Sequence, residues 1–185
     1  IQHPNDDLET VTFVDGFGRA VQVKKDGVVT SASKGSSAKD ENVMIVSGRN
    51  VYDAFGRVAK AFYPTTEGTG SKSTFNKSFD NVSPTVTVYD VLDRATSVTL
   101  PDNSTTTTAY TVDNGSHALV TTVTDALHNV QATHTNGSGK TLKTIQKSGP
   151  DGEITTSFEY DGIQRLVRVT DTEGNVTTST YDMGE

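Results

Sequence analysis

Turn-forming residues punctuate the second half of this chain at short, even intervals. Asp or Asn stands at Asp90, Asp102, Asp113, Asp125, Asn136, Asp151, Asp161, Asp171 and Asp182, at spacings of 12, 11, 12, 11, 15, 10, 10 and 11. Turn signals every ~8–12 residues leave room only for successive short strands joined by hairpins. The stretch Val51-Tyr52-Asp53-Ala54-Phe55-Gly56-Arg57-Val58-Ala59-Lys60-Ala61-Phe62-Tyr63-Pro64 shows how one such turn works. Asp53 occupies the first position of a type I turn and bonds the backbone two residues on. Gly56 takes the left-handed conformation that closes a three-residue hairpin.

Related copies occur at 14–19, 89–94, 124–129 and 160–165, and Tyr181-Asp182 begins another. Five residues after each turn aspartate stands an apolar residue (Ala20, Val58, Ala95, Val130, Leu166), and three further on the place is apolar in four of five (Val23, Ala61, Val98, Thr133, Val169). Three ascending segments, 102–110, 151–160 and 173–181, superimpose, each reaching a tyrosine. The pattern is an internal repeat of two strands and 21 residues, clearest from Tyr160 to Tyr181. A unit that thin cannot bury its own apolar face and must stack on its neighbours.

Composition agrees. Thr and Val number 30 and 22, and both favour a pleated, half-buried surface. Hydrophobic residues make up only 32% and mean hydropathy is -0.45, too little for a thick core covered on both sides. A net charge of -7 argues against phosphate-backbone binding, so nucleic acid is not an expected partner. With no cysteine, neither a disulfide framework nor a thiolate site can form. No apolar run reaches the ~18 residues of a membrane span, and the first residues carry no signal-peptide pattern. Both ends read as cut, the expectation being an excised fragment.

Along the chain, 11–14 and 20–23 pair around Asp15, a second turn is expected at Asp26-Gly27, and a strand follows near Val28-Val29-Thr30. Residues 31–42 read as a loop, Val43-Met44-Ile45-Val46 as a buried strand, and 64–81 as a polar excursion or a mobile loop, with Phe75 and Phe79 as the residues to pin it. The whole of 1–185 forms one segment, less regular over 1–88 and regular over 89–185.

Tyr-Asp-Ala-Phe-Gly-Arg-Val at 52–58, Tyr-Asp-Val-Leu-Asp-Arg at 89–94 and Thr-Asp-Thr-Glu-Gly-Asn-Val at 170–176 resemble the Rhs/YD-repeat family. Asp15-Gly16-Phe17-Gly18-Arg19, with 47–57, is similar to the repeat region of the B components of bacterial insecticidal toxin complexes. The resemblance covers most of residues 11–185. It implies an all-β, antiparallel meander of YD-repeat hairpins forming a curved sheet, part of a larger shell that encloses a C-terminal toxin, in a bacterial protein that is secreted or at the cell surface. Asp93, His128 and Gln164 depart from the motif's glycine, so the 161–165 turn is expected to differ or to use Gly162. The family's self-cleaving core segment has no match here, and no protease role transfers.

Chemistry-bearing patterns are few. Asn136-Gly137-Ser138-Gly139-Lys140-Thr141 resembles the tail of a phosphate-binding loop, but its leading glycine is His134 and a strand-like run follows, which favours a hairpin turn. His128 and His134 could share a metal in one hairpin, without a visible third ligand. No Gly-x-Ser-x-Gly elbow exists for a hydrolase, and 171–175 lacks the ligand alternation of a calcium loop. Tyr52, Tyr89, Tyr110, Tyr160 and Tyr181 form either a sugar-stacking ladder or, as favoured, a row packed against neighbouring strands. Arg19, Arg57, Arg94 and Arg165 either grip acidic cargo or pair with the aspartates of adjacent hairpins. Asn-x-Ser/Thr sequons at Asn81, Asn103, Asn114, Asn136 and Asn175 are what a Thr-rich chain generates by chance.

The reading is therefore a non-enzymatic structural segment, with no catalytic, metal or cofactor residue and no cofactor. Its partners are adjacent repeats of the parent chain, an enclosed toxin segment and, through open edges, other copies of itself. The alternative is an extracellular adhesin or carbohydrate-binding module. An enzyme would need a deep pocket gathering His128, His134 and carboxylates.

Overall fold

The structure, a computed structural model, describes residues 8–31, 37–78, 83–148 and 152–182. Among them the regular structure is strand, apart from one 3-10 turn, and the strands pair antiparallel. The sheets do not close into a barrel. Two compact units form: Ile1–Thr87 with Thr99–Asn103, and Val88–Val98 with Ser104–Glu185.

In the first unit, β1 (Thr10–Val14), β2 (Ala20–Ser31), β3 (Lys39–Ser47) and β6 (Thr65–Gly68) make a four-stranded sheet in the order β1-β2-β3-β6. A separate hairpin joins β4 (Asn50–Tyr52) to β5 (Val58–Ala61), and β5 pairs with the start of β7 (Thr85–Tyr89) through Lys60 with Val86 and Ala61 with Thr85. The apolar run of β3 is buried as its composition requires, with Val43, Met44 and Val46 inside.

Three expectations for this unit are corrected. No turn forms at Asp26-Gly27, because β2 runs straight through it. Asp26 instead binds Glu9, its amide donating to the Glu9 carbonyl at 3.2 Å and its carboxylate accepting from the Glu9 amide at 2.9 Å. Gly27 marks a close approach: a Cβ there would lie 2.5 Å from Ile45 Cδ1. The expected 31–42 loop is shorter than read, since β2 and β3 stay paired out to Ser31 with Lys39, so that Ser31 and 39–42 belong to the ladder; residues 32–36 lie outside the described set. The 64–81 excursion contributes β6, which pairs along β3 from Val46–Thr65 to Val43–Gly68, and a 3-10 turn, Thr69–Ser71. Phe75 pins it as expected, edge-on to Phe13 with ring centroids 5.6 Å apart. Phe79 lies outside the described residues.

The second unit is a sequential meander. From the end of β7 the strands follow one another as β8 (Ala95–Thr99, its last residue in the other unit), β9 (Thr105–Asp113), β10 (Ala118–Thr124), β11 (Val130–Thr135), β12 (Thr141–Lys147), β13 (Glu153–Tyr160), β14 (Leu166–Thr170) and β15 (Val176–Thr178). Among the described residues of this unit only Ala118, Val120 and Ala132 are buried, so the sheet is a single layer with most side chains half-exposed. That explains the threonines. Thr121, Thr133, Thr144 and Thr156 stand directly opposite one another on four consecutive strands, with Tyr110 at the end of the row. A β-branched side chain with a hydroxyl suits a position that is neither dry nor wet, and each cross-strand pair adds about 0.2–1 kcal/mol.

Two details differ from the superimposed tyrosine-ended segments. β9 continues past Tyr110 to Asp113, and β15 stops at Thr178, before Tyr181. Asp102 is not a first-position turn residue: the Leu100 carbonyl accepts from the Asn103 amide at 3.0 Å, and Asn103 takes the left-handed conformation. Asp151 lies outside the described residues.

Candidate functional site

The recurrent construction is the turn itself. At Asp15, Oδ1 accepts from the amides of Phe17 (2.8 Å) and Arg19 (3.0 Å), while Oδ2 accepts from Arg19 Nε (2.7 Å). The Gly18 amide donates to the Asp15 carbonyl, and the Asp15 amide to the Arg19 carbonyl. One carboxylate thus organises the whole loop. The same set of bonds recurs at Asp53 with Arg57, Asp90 with Arg94 and Asp161 with Arg165. At Asp125 and Asp171 an asparagine replaces the arginine, Asn129 and Asn175 donating Nδ2–H to Oδ2 at 2.8 and 2.7 Å. At Asn136 the amide oxygen accepts from Ser138 and Lys140, so the phosphate-loop-like stretch is a hairpin turn.

The fourth residue of each turn has positive φ, whether glycine or not: Gly18, Gly56, Gly139 and Gly174, but also Asp93 (62°), His128 (64°) and Gln164 (67°). The expected departure of the 161–165 turn is thereby corrected. Gln164 itself occupies the left-handed position, held there by the Asp161 bonds. Hydrogen bonds from Arg19 to Asp15, from Asn129 to Asp125 and from Asn175 to Asp171 hold these carboxyls below their ordinary range. The backbone and side chain of Arg165 do the same for Asp161. At Asp53 and Asp90 partial desolvation pushes upward, but the bonds from Arg57 and Arg94 outweigh it and the net direction is again down.

A tyrosine from the following hairpin completes the arrangement. Tyr52 lays its ring on the Arg19 guanidinium (4.2 Å) and donates its hydroxyl to the Ala20 carbonyl at 2.9 Å. Tyr110 does so with Arg94 (3.9 Å) and the Ala95 carbonyl, and Tyr181 with Arg165 (4.5 Å) and the Leu166 carbonyl (2.8 Å). Tyr160 caps Lys140 at 5.9 Å and donates to the Thr141 carbonyl at 2.9 Å. Aspartate therefore fixes arginine, and arginine and the adjacent carbonyl fix the next tyrosine. Tyr52, Tyr110, Tyr160 and Tyr181 pack as favoured from the sequence, whereas Arg19, Arg57, Arg94 and Arg165 each pair with the aspartate of their own turn.

The first unit holds a second polar construction that the sequence did not reveal. Gln22 and Lys24 of β2 are fully buried. The Gln22 amide clasps the Asn76 backbone from both sides at 2.9 Å, and Asn76 Nδ2 donates to Glu67 Oε2 at 2.8 Å. Lys24 Nζ donates to Glu67 Oε1 and to the carbonyls of Ser71 and Thr74, so its three donors are met. Arg49, also buried, donates to the carbonyls of Tyr63 (3.2 Å) and Ser78. In Val21-Gln22-Val23-Lys24 a period-two reading turns the polar side chains outward; the structure turns them in, against the excursion.

His128 and His134 are not brought together around an ion. His128 is the left-handed residue of the Asp125 turn, and His134 Nδ1 lies 4.0 Å from Asp113 Oδ2. Among the described residues no three metal-ligating side chains cluster. A shallow groove lined by Val123, Asp125, Asn129, Gln131, Gln146 and Ser148 includes neither histidine. No helix among the described residues is long and apolar enough to cross a membrane.

Hairpins in series, their turns organised by an aspartate or asparagine and those at Asp15, Asp90, Asn136 and Asp161 clasped by a later tyrosine, define the class: an antiparallel array of repeated hairpins. The family model described as "Domain of unknown function (DUF6443)" matches residues 1–110, and the chain belongs to that family. Among solved structures it is similar to TcdB2-TccC3 without the hypervariable C-terminal region, at 18% identity and a TM-score of 0.60 over 88% of this chain. It is likewise similar to TcdB2-TccC3-TEV, at 19% identity and a TM-score of 0.63 over 89% of this chain. These likenesses establish the fold. The chain spans 9% of the length of each matched structure. No curated protein sequence matches.

Proposed function

We propose that residues 1–185 are a structural segment of a longer YD-repeat array, a bacterial, toxin-related shell whose work is enclosure, with no catalytic step of its own. The observation that carries this reading is the aspartate–arginine–tyrosine clasp recurring at Arg19, Arg94 and Arg165. It devotes the aspartate and arginine of these three turns to shaping the loop and holding a later tyrosine. The enclosed partner is a toxin segment of the parent chain, which is secreted or displayed at the cell surface. Nucleic acid is not a partner, in keeping with the net charge of -7.

The test is protease protection in the parent protein. The enclosed segment should resist digestion in the intact chain and become sensitive in the Arg94→Ala/Tyr110→Ala variant. Equal sensitivity in both would remove the enclosure reading. Specific glycan binding by the 185-residue chain would move it to the adhesin class.

A further inference from the structure

The tyrosine clasp keeps a fixed register. Lys143 of β12 pairs with Ser157 of β13; two places further, Thr141 falls opposite Glu159, and Tyr160 is the next residue. Arg168 of β14 pairs with Thr178; two places further, Leu166 falls opposite Thr180, and Tyr181 is the next. Both hydroxyls reach the carbonyl of the strand's first residue, Thr141 or Leu166, and both rings cover the cation before it, Lys140 or Arg165. At the Asp125 turn the strand's first residue is Val130, which pairs with Lys147, so the clasping place falls to Ser148. Serine stands there for the tyrosine and Asn129 for the cation. The two bond each other, Ser148 Oγ donating to Asn129 Oδ1 at 2.7 Å.

The shallow groove of the second unit lies at this place, lined by Asn129, Val130 and Ser148, with Val123, Gln131 and Gln146 forming one cross-strand row. Its volume is about 270 Å³, below the ~300–1,000 Å³ of pockets that take larger ligands, so it suits a single ring. Asp125 and Lys147 on the lining are opposite in sign, which favours a neutral ring. The amides of Gln131 and Gln146 are exposed and have no hydrogen-bond partner among the described residues. What such an amide can hold is shown by Gln22, which clasps the Asn76 backbone from both sides at 2.9 Å. We propose that this groove receives a tyrosine side chain from another polypeptide segment. The phenol lies over Asn129 and donates to the Val130 carbonyl, as the chain's own tyrosines do at Thr141 and Leu166, while Gln131 and Gln146 hold the incoming backbone. A tyrosine buries a large apolar face and keeps a polar tip, which makes it a common interface anchor.

Amide NMR of the 185-residue chain, titrated with N-acetyltyrosinamide, tests this. Saturable shifts are expected at 129–131 and 146–148, and N-acetylphenylalaninamide should bind about two- to tenfold more weakly, the worth of the hydroxyl's hydrogen bond. The Asn129→Arg/Ser148→Tyr variant, whose own ring fills the groove, should have a higher Tm and lose the shifts. No saturable shift in the wild-type chain, an equal response to the phenylalanine analogue, or shifts that survive in a folded double variant would each overturn the proposal. Stronger shifts of the same amides by methyl α-glucoside would overturn it by assigning the groove to a sugar. The proposal does not rest on enclosure, since protease protection in the parent protein can hold or fail with either result.

Discussion

Gln164 shows at the residue scale how much the turn aspartate can impose. A non-glycine residue in the left-handed region is disfavoured by about 1–2 kcal/mol, and here it is also half-buried with its Oε1 unpaired. Gln164→Gly should raise stability by about 1 kcal/mol, less the glycine entropy of the unfolded chain, readable as a higher Tm in calorimetry. A fall in Tm would mean that the glutamine side chain makes contacts that matter more than its strain. The same carboxylates predict a pH dependence. The Asp15, Asp125, Asp161 and Asp171 carboxyls are held below their ordinary range by hydrogen bonds to their charged forms. Their contribution is complete above the unfolded-state value of about 3.9 and is lost as pH falls through the lower folded-state values. Tm should be flat from pH 7 to about 5 and decline below about 4. A decline that began between pH 6 and 7 would contradict the assignment to these carboxyls.

Lys24 governs the behaviour of an element. Its ammonium holds Glu67 in β6 and, through their carbonyls, Ser71 and Thr74 in the segment that follows it. Lys24→Met would leave the largely buried Glu67 without its cation and with Asn76 as a remaining partner, and removing one partner of a buried pair typically destabilises by about 3–5 kcal/mol. Early proteolytic cleavage within 65–78, ahead of cleavage elsewhere, is the expected signature; an unchanged digestion pattern would show that Gln22 and Arg49 suffice. This element also marks where sequence reading stopped. Turn chemistry is local, so the hairpins around Asp15, Asp53, Asp90, Asp125, Asn136 and Asp161 were legible from single residues. The clasp was half legible, because the tyrosine row shows in the sequence but its acceptor carbonyls do not. The Asp26-Gly27 pair misled because a glycine needed for Ile45 looks the same in sequence as one needed for a turn. The inward-facing Gln22 and Lys24 left no local trace, since their partners lie 43 to 54 positions away.

On the scale of the molecule, the second unit is a ladder in which, among the described residues, each strand is hydrogen-bonded to its neighbours in sequence. Stability in such a ladder is close to a sum of local terms. Arg165→Ala should therefore raise amide exchange in β14 and β15 and leave β9 and β10 unchanged; exchange rising uniformly across the unit would contradict nearest-neighbour coupling. The two margins of the ladder differ. Arg94, Lys140 and Arg165 follow the turns on one side, and Asn129 and Asn175 those on the other, because consecutive turns of a meander fall on alternate sides.

It follows that an array of this design comes in even numbers. Excising 136–160 removes β12 and β13 together and hands Thr135 directly to the Asp161 turn on its proper side. Taking out one strand alone would place every later tyrosine across from the wrong margin, out of reach of its arginine. Duplication and loss in genes of this kind should leave a footprint of whole hairpins, and the 21 residues from Tyr160 to Tyr181 are the step of that count.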